Sequence, residues 1–240
     1  MSVEFFVRAI LIASLALFTS ACGGGGGGGS DAAAVETVTG SDTDTDEKVV
    51  LKTPSVNFED DPAYLERFQL EEWIGRRIDS AHVIRTVEQI RPRRFMYYVM
   101  EYIEGQTLEQ WMVDQTDVDL TVIRNIVSQT VSGLRAFHRM DMLHQDIKPG
   151  NIMITAEGLV KIVDFGSTKI AGIADISTPV QRSELLGTKN YTAPEYLLGE
   201  SGTARSDMFS LGCIIYEMFI IIKFLCFANK SRHITHCVNF

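Results

Sequence analysis

The sequence predicts an α+β fold, a strand-containing part followed by a mainly helical one. Three observations predict it. A short amphipathic helix and a β-rich run, Arg94 to Met100, come before a long amphipathic helix, Leu120 to Met140. Two apolar runs, Ile152 to Thr155 and Leu159 to Val163, then flank Ala156-Glu157-Gly158 as the arms of a tight hairpin. Polar clusters stand at both ends of that hairpin, at a spacing that lets it bring them together.

With 240 residues and 45% hydrophobic content the chain can bury one sizeable core, divided into one or two domains. A formal charge of −9 without clustered Lys or Arg excludes a nucleic-acid binder. Cys22, Cys213, Cys226 and Cys237 have neither paired metal spacing nor the density of a disulfide scaffold. His233-Ile234-Thr235-His236-Cys237 reads as a polar tail rather than a metal site.

Residues 1–22 combine Arg8, an apolar run from Ala9 to Phe18 and small residues before Cys22, the pattern of a secretory signal too short to span a membrane. Residues 23–47, with seven consecutive glycines and an acidic Ser/Thr/Asp stretch, read as a flexible linker. Within it, Val35 to Thr39 has the option of pairing with Lys48 to Thr53 as a hairpin. The strand-rich lobe is placed at 48–103. Asp61-Pro62 starts a helix running to about Ile78, with an apolar stripe at Tyr64, Leu65, Phe68 and Ile74. The helical lobe is placed at 104–220, with a short helix near Leu108 to Met112. In Leu120 to Met140, Ile123, Ile126, Val127, Val131, Leu134 and Phe137 recur at three- and four-residue steps. A further helix, Met208 to about Met218, is expected to be buried, and residues 221–240 form an atypical tail. Reading Met208 to Ala228 as a membrane span is opposed by Glu217 and Lys223.

His144-Gln145-Asp146-Ile147-Lys148-Pro149-Gly150-Asn151 precedes the hairpin, and Asp164-Phe165-Gly166 follows it. Asn151 and Asp164 offer oxygen ligands suited to magnesium, which keeps waters and binds through a few protein oxygens plus phosphates. Asp146 fits a base that orients an attacking hydroxyl.

Together these motifs resemble the eukaryotic-like serine/threonine protein kinase superfamily over roughly Val49 to Met218. Within it, the chain looks most like the kinase half of bacterial fusions with a type 2C protein phosphatase. The resemblance implies a two-lobed kinase fold that transfers the ATP γ-phosphoryl group to protein Ser or Thr hydroxyls with magnesium. It implies that Lys148 stands beside the γ-phosphate, that Lys52 holds phosphates and Glu71 is its ion-pair partner, that Met100 is the gatekeeper, and that the backbone of Glu101 and Ile103 binds adenine. Gly187-Thr188-Lys189-Asn190-Tyr191-Thr192-Ala193-Pro194-Glu195 resembles the end of an activation segment, and Asp207 a brace for the catalytic-loop backbone.

The chain also departs from the family pattern. Gln145 replaces the Arg that pairs with a phosphorylated loop, so phosphorylation of a residue such as Ser183 is not expected to be the on-switch. No Gly-x-Gly-x-x-Gly precedes Lys52, and Gly23 to Gly29 reads as a tether. The kinase fold is read as truncated, with the late helices absent and Glu195 without its downstream Arg. Small residues before Cys22 resemble a bacterial lipoprotein signal, implying a membrane tether through Cys22; a cytoplasmic location, which the ATP chemistry requires, is the alternative. A catalytically inactive, membrane-tethered kinase-like binding module is the alternative function.

Overall fold

The computed structural model describes residues 36–42, 46–55, 61–87, 93, 95–115, 118–171 and 190–235. The signal-like segment with Cys22, the glycine run Gly23 to Gly29, Ser183 and Gly187 to Lys189 lie outside the described residues. A four-stranded antiparallel sheet has the order β1-β2-β4-β3, formed by β1 (Glu36–Ser41), β2 (Lys48–Thr53), β3 (Thr86–Val87) and β4 (Tyr98–Glu101). Residues 36–41 lie inside the stretch assigned to the linker and form the hairpin arm that the sequence offered there against Lys48 to Thr53. Pairing with β2, in a register that sets Glu36 against Thr53 and Ser41 against Lys48, holds this Thr- and Gly-containing segment extended.

Helix α1 (Pro62–Gly75) packs across that sheet. Asp61 caps it by accepting from the amides of Ala63 and Tyr64 at 2.9 and 3.3 Å, and Pro62 needs no partner at the first position. Its buried positions, Phe68, Glu71, Ile74 and Gly75, follow a helical stripe that contains one carboxylate. Tyr64 and Leu65, expected on the stripe, are only partly buried. The Phe68 ring meets Tyr98 of β4 with centroids 5.0 Å apart.

β4 begins at Tyr98, so Phe95 to Tyr97 of the expected run lie ahead of it, and Arg94 is outside the described residues. The Arg93 guanidinium takes the Tyr97 carbonyl at 2.6 Å and pairs with Glu72 of α1, which pins this stretch to the helix, and Phe95 stays exposed.

The helical part carries a second sheet, β5-β7-β8, from β5 (Gly105–Thr107), β7 (Ile152–Thr155) and β8 (Val160–Ile162). The hairpin read from the sequence is therefore present, whereas β5 had no sequence signal. Helix α2 (Leu108–Asp114) is capped by Thr107, and α3 (Leu120–His138) by Asp119, which accepts from Thr121 N at 2.7 Å. The buried residues of α3, among them Ile123, Ile126, Leu134 and Phe137, form the predicted stripe. Strands β6 (Met142–Leu143) and β9 (Lys169–Ile170) pair beside the catalytic-loop candidate.

Two backbone bonds tie the parts together: Ile84 N donates to Ile162 O and Ile162 N to His82 O, both at 2.9 Å. Gly133 of α3 makes room for this seam, because a β-carbon there would lie 2.6 Å from the His82 carbonyl oxygen. One apolar core runs through the whole, from Phe68 and Tyr98 past Phe165 and Phe137 to Leu211 and Ile214.

Short helix α4 (Pro194–Leu197) precedes α5 (Ala204–Thr235), which continues through residues the sequence reading set apart as a tail. Its burial differs from expectation. Asp207, Ser210, Leu211, Ile214 and Met218 form a buried stripe, but Met208, Phe209 and Tyr216 are exposed, Tyr216 at 68%. Among the described residues, no helix is long and apolar enough to cross a membrane.

Candidate active site

The hairpin returns Asp164 to the loop it left, because Val163 N donates to Asn151 O at 2.9 Å. Left-handed backbone at Asp164, φ 64°, then turns its carboxylate toward β2, where Lys52 Nζ lies 3.4 Å from Oδ1. Lys52 also pairs directly with Glu71 of α1, and both side chains are almost fully buried. The Phe165 amide donates to the same Glu71 oxygen at 3.3 Å. Strand, helix and loop thus meet at one carboxylate, as the resemblance implied for Lys52 and Glu71.

Burial works against the Lys52 charge, but Glu71 and Asp164 outweigh it and raise its pKa. Burial lifts the Glu71 carboxyl above the usual carboxylate range, with Lys52 pulling the other way. Asp164 is held below its usual value although burial opposes this, through the Lys52 charge and the Gly166 amide. Breaking a buried pair of this kind by removing one partner costs about 3–5 kcal/mol.

The second cluster is the catalytic-loop candidate. Lys148 Nζ donates to Asp146 Oδ2 at 2.7 Å, and Asn151 Nδ2 donates to the same oxygen at 2.9 Å and to the Asp146 carbonyl at 2.8 Å. This leaves Asp146 Oδ1 as the oxygen turned to no partner on the loop. Fixing the Asn151 amide nitrogen commits its other end, the carbonyl oxygen, to whatever lies opposite. Asn151 Oδ1 and the Asp164 carboxylate are therefore the two hard oxygen donors at the site, a set that fits a magnesium ion completing its shell with water and phosphate. Among the described residues no group of three or more His, Cys, Asp or Glu forms an all-protein metal cage.

Asp207, buried on α5, holds the loop from behind. It accepts from the amides of His144 and Gln145 at 3.1 and 2.9 Å, and its Oδ2 lies 2.8 Å from His138 Nε2. Those bonds hold Gln145 in a left-handed conformation, φ 67°, immediately before Asp146. The Gln145 amide reaches Tyr196 OH at 3.3 Å instead of offering a cation. Glu195, read as without its downstream Arg, accepts from the Ser206 hydroxyl, and this bond lowers its pKa.

At the other wall Met100 is buried between Val50 and Thr86 in the sheet register, and Ile103 is buried just beyond it. Glu101 gives its amide to Arg85 O at 3.0 Å, while its carboxylate takes Arg85 N at 2.8 Å and Lys161 Nζ at 2.5 Å. The expected adenine-facing segment is thereby clamped to β8.

Sequence reasoning missed three participants. Tyr98 stands opposite Lys52 in the β2–β4 register and is 1% exposed. Gly75 and Thr86 meet behind Glu71, where a β-carbon on Gly75 would come 2.1 Å from Thr86 Oγ1. Tyr98 was readable two residues before Met100; the Gly75–Thr86 contact leaves no trace in the sequence.

Lysine, helical glutamate, paired loop oxygens and a braced aspartate define a class, and the family comparison agrees. The protein kinase domain model matches residues 26–239, and the chain belongs to that family. The match begins inside the glycine run that the sequence reading set aside as a tether. Similar proteins include the serine/threonine-protein kinase PknA of Corynebacterium glutamicum, 37% identical over 183 residues, covering 74% of this chain and 38% of that protein. PknL of Mycobacterium bovis, also described as a serine/threonine-protein kinase, is 31% identical over 179 residues, 75% of this chain and 44% of that protein. The probable serine/threonine-protein kinase PknB of Bifidobacterium longum is 33% identical over 188 residues, 74% of this chain and 27% of that protein. The chain spans less than half the length of these relatives.

Proposed function

We propose that this chain is an ATP-dependent protein serine/threonine kinase domain, transferring the γ-phosphoryl group to a Ser or Thr hydroxyl of a protein substrate. The observation that carries the reading is the hairpin's return of Asp164 to Asn151, beside the Lys52–Glu71 pair. In this reading Asp146 Oδ1 accepts the proton of the incoming hydroxyl, while Lys148 and Asn151 keep the other oxygen occupied and the carboxylate aimed. Lys52, oriented by Glu71, holds the nucleotide phosphates, and Lys148 offsets charge where it redistributes. Asn151 and Asp164 would hold magnesium, which supplies positive charge against the phosphates when bound. Met100, Glu101 and Ile103 bound the adenine side.

Two finer parts belong to the same proposal. The motif likeness to kinase halves of type 2C phosphatase fusions supports a role in reversible protein phosphorylation. The small residues ahead of Cys22 support lipidation there and a membrane tether, which the mass of the mature N-terminus tests; an unmodified Cys22 favours a cytoplasmic location.

Transfer of labelled phosphate from Mg-ATP to a generic protein acceptor tests the activity. Incorporation should fall 10²- to 10⁴-fold, about the worth of one general base, in Asp146→Asn. Nucleotide-induced thermal stabilisation with no incorporation would reduce the chain to a nucleotide-binding module.

A further inference from the structure

Tyr98 has an unexplained hydroxyl. Its side chain is almost wholly buried, and the phenolic oxygen, set beside Glu71, makes no hydrogen bond of good geometry. A phenylalanine would fill the same space against Phe68 without the cost of desolvating a polar group. The β2–β4 register sets Tyr98 directly across from Lys52, so both side chains rise from the sheet toward α1, and Lys52 Nζ lies 5.9 Å from the centre of the Tyr98 ring. Lys52 and the Phe165 amide both use Oε1 of Glu71, which leaves Oε2 for another donor. Burial and the neighbouring Glu71 push the phenol far above its ordinary pKa, so at working pH it has a proton to donate.

We propose that Tyr98 is a positioning residue: its hydroxyl donates to the free oxygen of Glu71 and fixes the rotation of that carboxylate, and with it the aim of Lys52. The consequence for nucleotide phosphates rests on the phosphoryl-transfer reading above, but the positioning itself does not. The Phe165 amide reports on the same carboxylate, so a Glu71 free to rotate should expose that amide.

Amide exchange by nuclear magnetic resonance, on the full chain without nucleotide, reads this directly. In Tyr98→Phe the Phe165 amide should exchange roughly tenfold faster, while the amides of Leu134 and Phe137 in α3 keep their rates. Exchange at Phe165 that is unchanged in Tyr98→Phe overturns the proposal, as does an equal acceleration throughout α3, which would mark a purely structural role. A second variant guards against misfolding: in Glu71→Ala, where the acceptor is gone, adding Tyr98→Phe should change nothing further, and a further acceleration at Phe165 again overturns it. In transfer assays the KM for ATP should rise several-fold in Tyr98→Phe with a smaller change in kcat. Exchange that follows the expected pattern in a protein that binds no nucleotide upholds the positioning role and faults the kinase reading.

Discussion

Gly75→Ala places one methyl group at the point where α1, β3 and the Asp164 loop meet. Its carbon would lie 2.1 Å from Thr86 Oγ1, 3.3 Å from Thr86 Cβ and 3.2 Å from Phe165 Cε2. Ordinary contact would require the helix and β3 to part by more than an ångström. Neither neighbour yields easily: Thr86 is β-branched and paired with Met100 in the sheet, and Phe165 is buried with its ring edge against Phe137, 5.5 Å between centroids. At an open helical position alanine would gain up to about 1 kcal/mol over glycine. Overpacking of a closed site costs about 1–3 kcal/mol, so the net expectation is a loss of about 1–2 kcal/mol, with a melting point lower by about 2–8 °C. Urea unfolding of four proteins measures it: wild type, Gly75→Ala, Thr86→Ala and the double variant. Thr86→Ala removes the overlapping oxygen, which has no hydrogen-bond partner, so the double variant should recover about 1–2 kcal/mol relative to the sum of the single losses. A Gly75→Ala protein as stable as wild type, or a double variant with no coupling, would refute the reasoning.

Other perturbations test the loop and its support. Asp207→Ala leaves the buried amides of His144 and Gln145 without an acceptor, and a loss of about 3–5 kcal/mol is expected in denaturant unfolding; Asp207→Asn, which keeps one oxygen, should lose clearly less. Burial holds the His144 imidazole below its ordinary pKa, so the unfolded chain takes up a proton that the folded chain refuses. Stability should be full above about pH 6.5 and fall below it, at up to about 1.4 kcal/mol per unit, until the folded imidazole also protonates. His144→Phe should flatten that slope between pH 6.5 and 5.5, and parallel curves for the two proteins would contradict it.

Much of this site was legible because its chemistry is concentrated in short segments. Asp146, Lys148 and Asn151 lie within six residues, and hairpin strands with clear apolar character carry the chain to Asp164. The Asp61 cap and the α3 stripe were legible for the same reason, since local bonding and helical periodicity decide them. Elements decided by distant partners were not. β5 is Gly-Gln-Thr, with no strand character of its own, and exists because β7 pairs with it. β1 was legible only as an option within a linker-like stretch, and its pairing with β2 decides it. The start of β4 is set by Arg93, whose bond to the Tyr97 carbonyl no strand propensity reports. The apolar sequence of α5 indicated a helix but not which of its faces the rest of the chain covers. The Ser206 hydroxyl that Glu195 accepts from lies across a turn that spacing alone does not reveal.

The seam of His82, Ile84 and Ile162 has a mechanical consequence. It anchors the chain seven to nine residues beyond the end of α1, and Gly75 itself is packed against Thr86 and Phe165, so a swing of that helix pivots near Gly75 as a lever does on its fulcrum. At 1.5 Å per residue the arm to Pro62 is about 20 Å and the arm to Glu71 about 6 Å. A push at the far tip is therefore geared down roughly threefold before it reaches the Lys52 pair. Small jostling at the exposed end is filtered out, and only a large, directed displacement there can disengage the carboxylate.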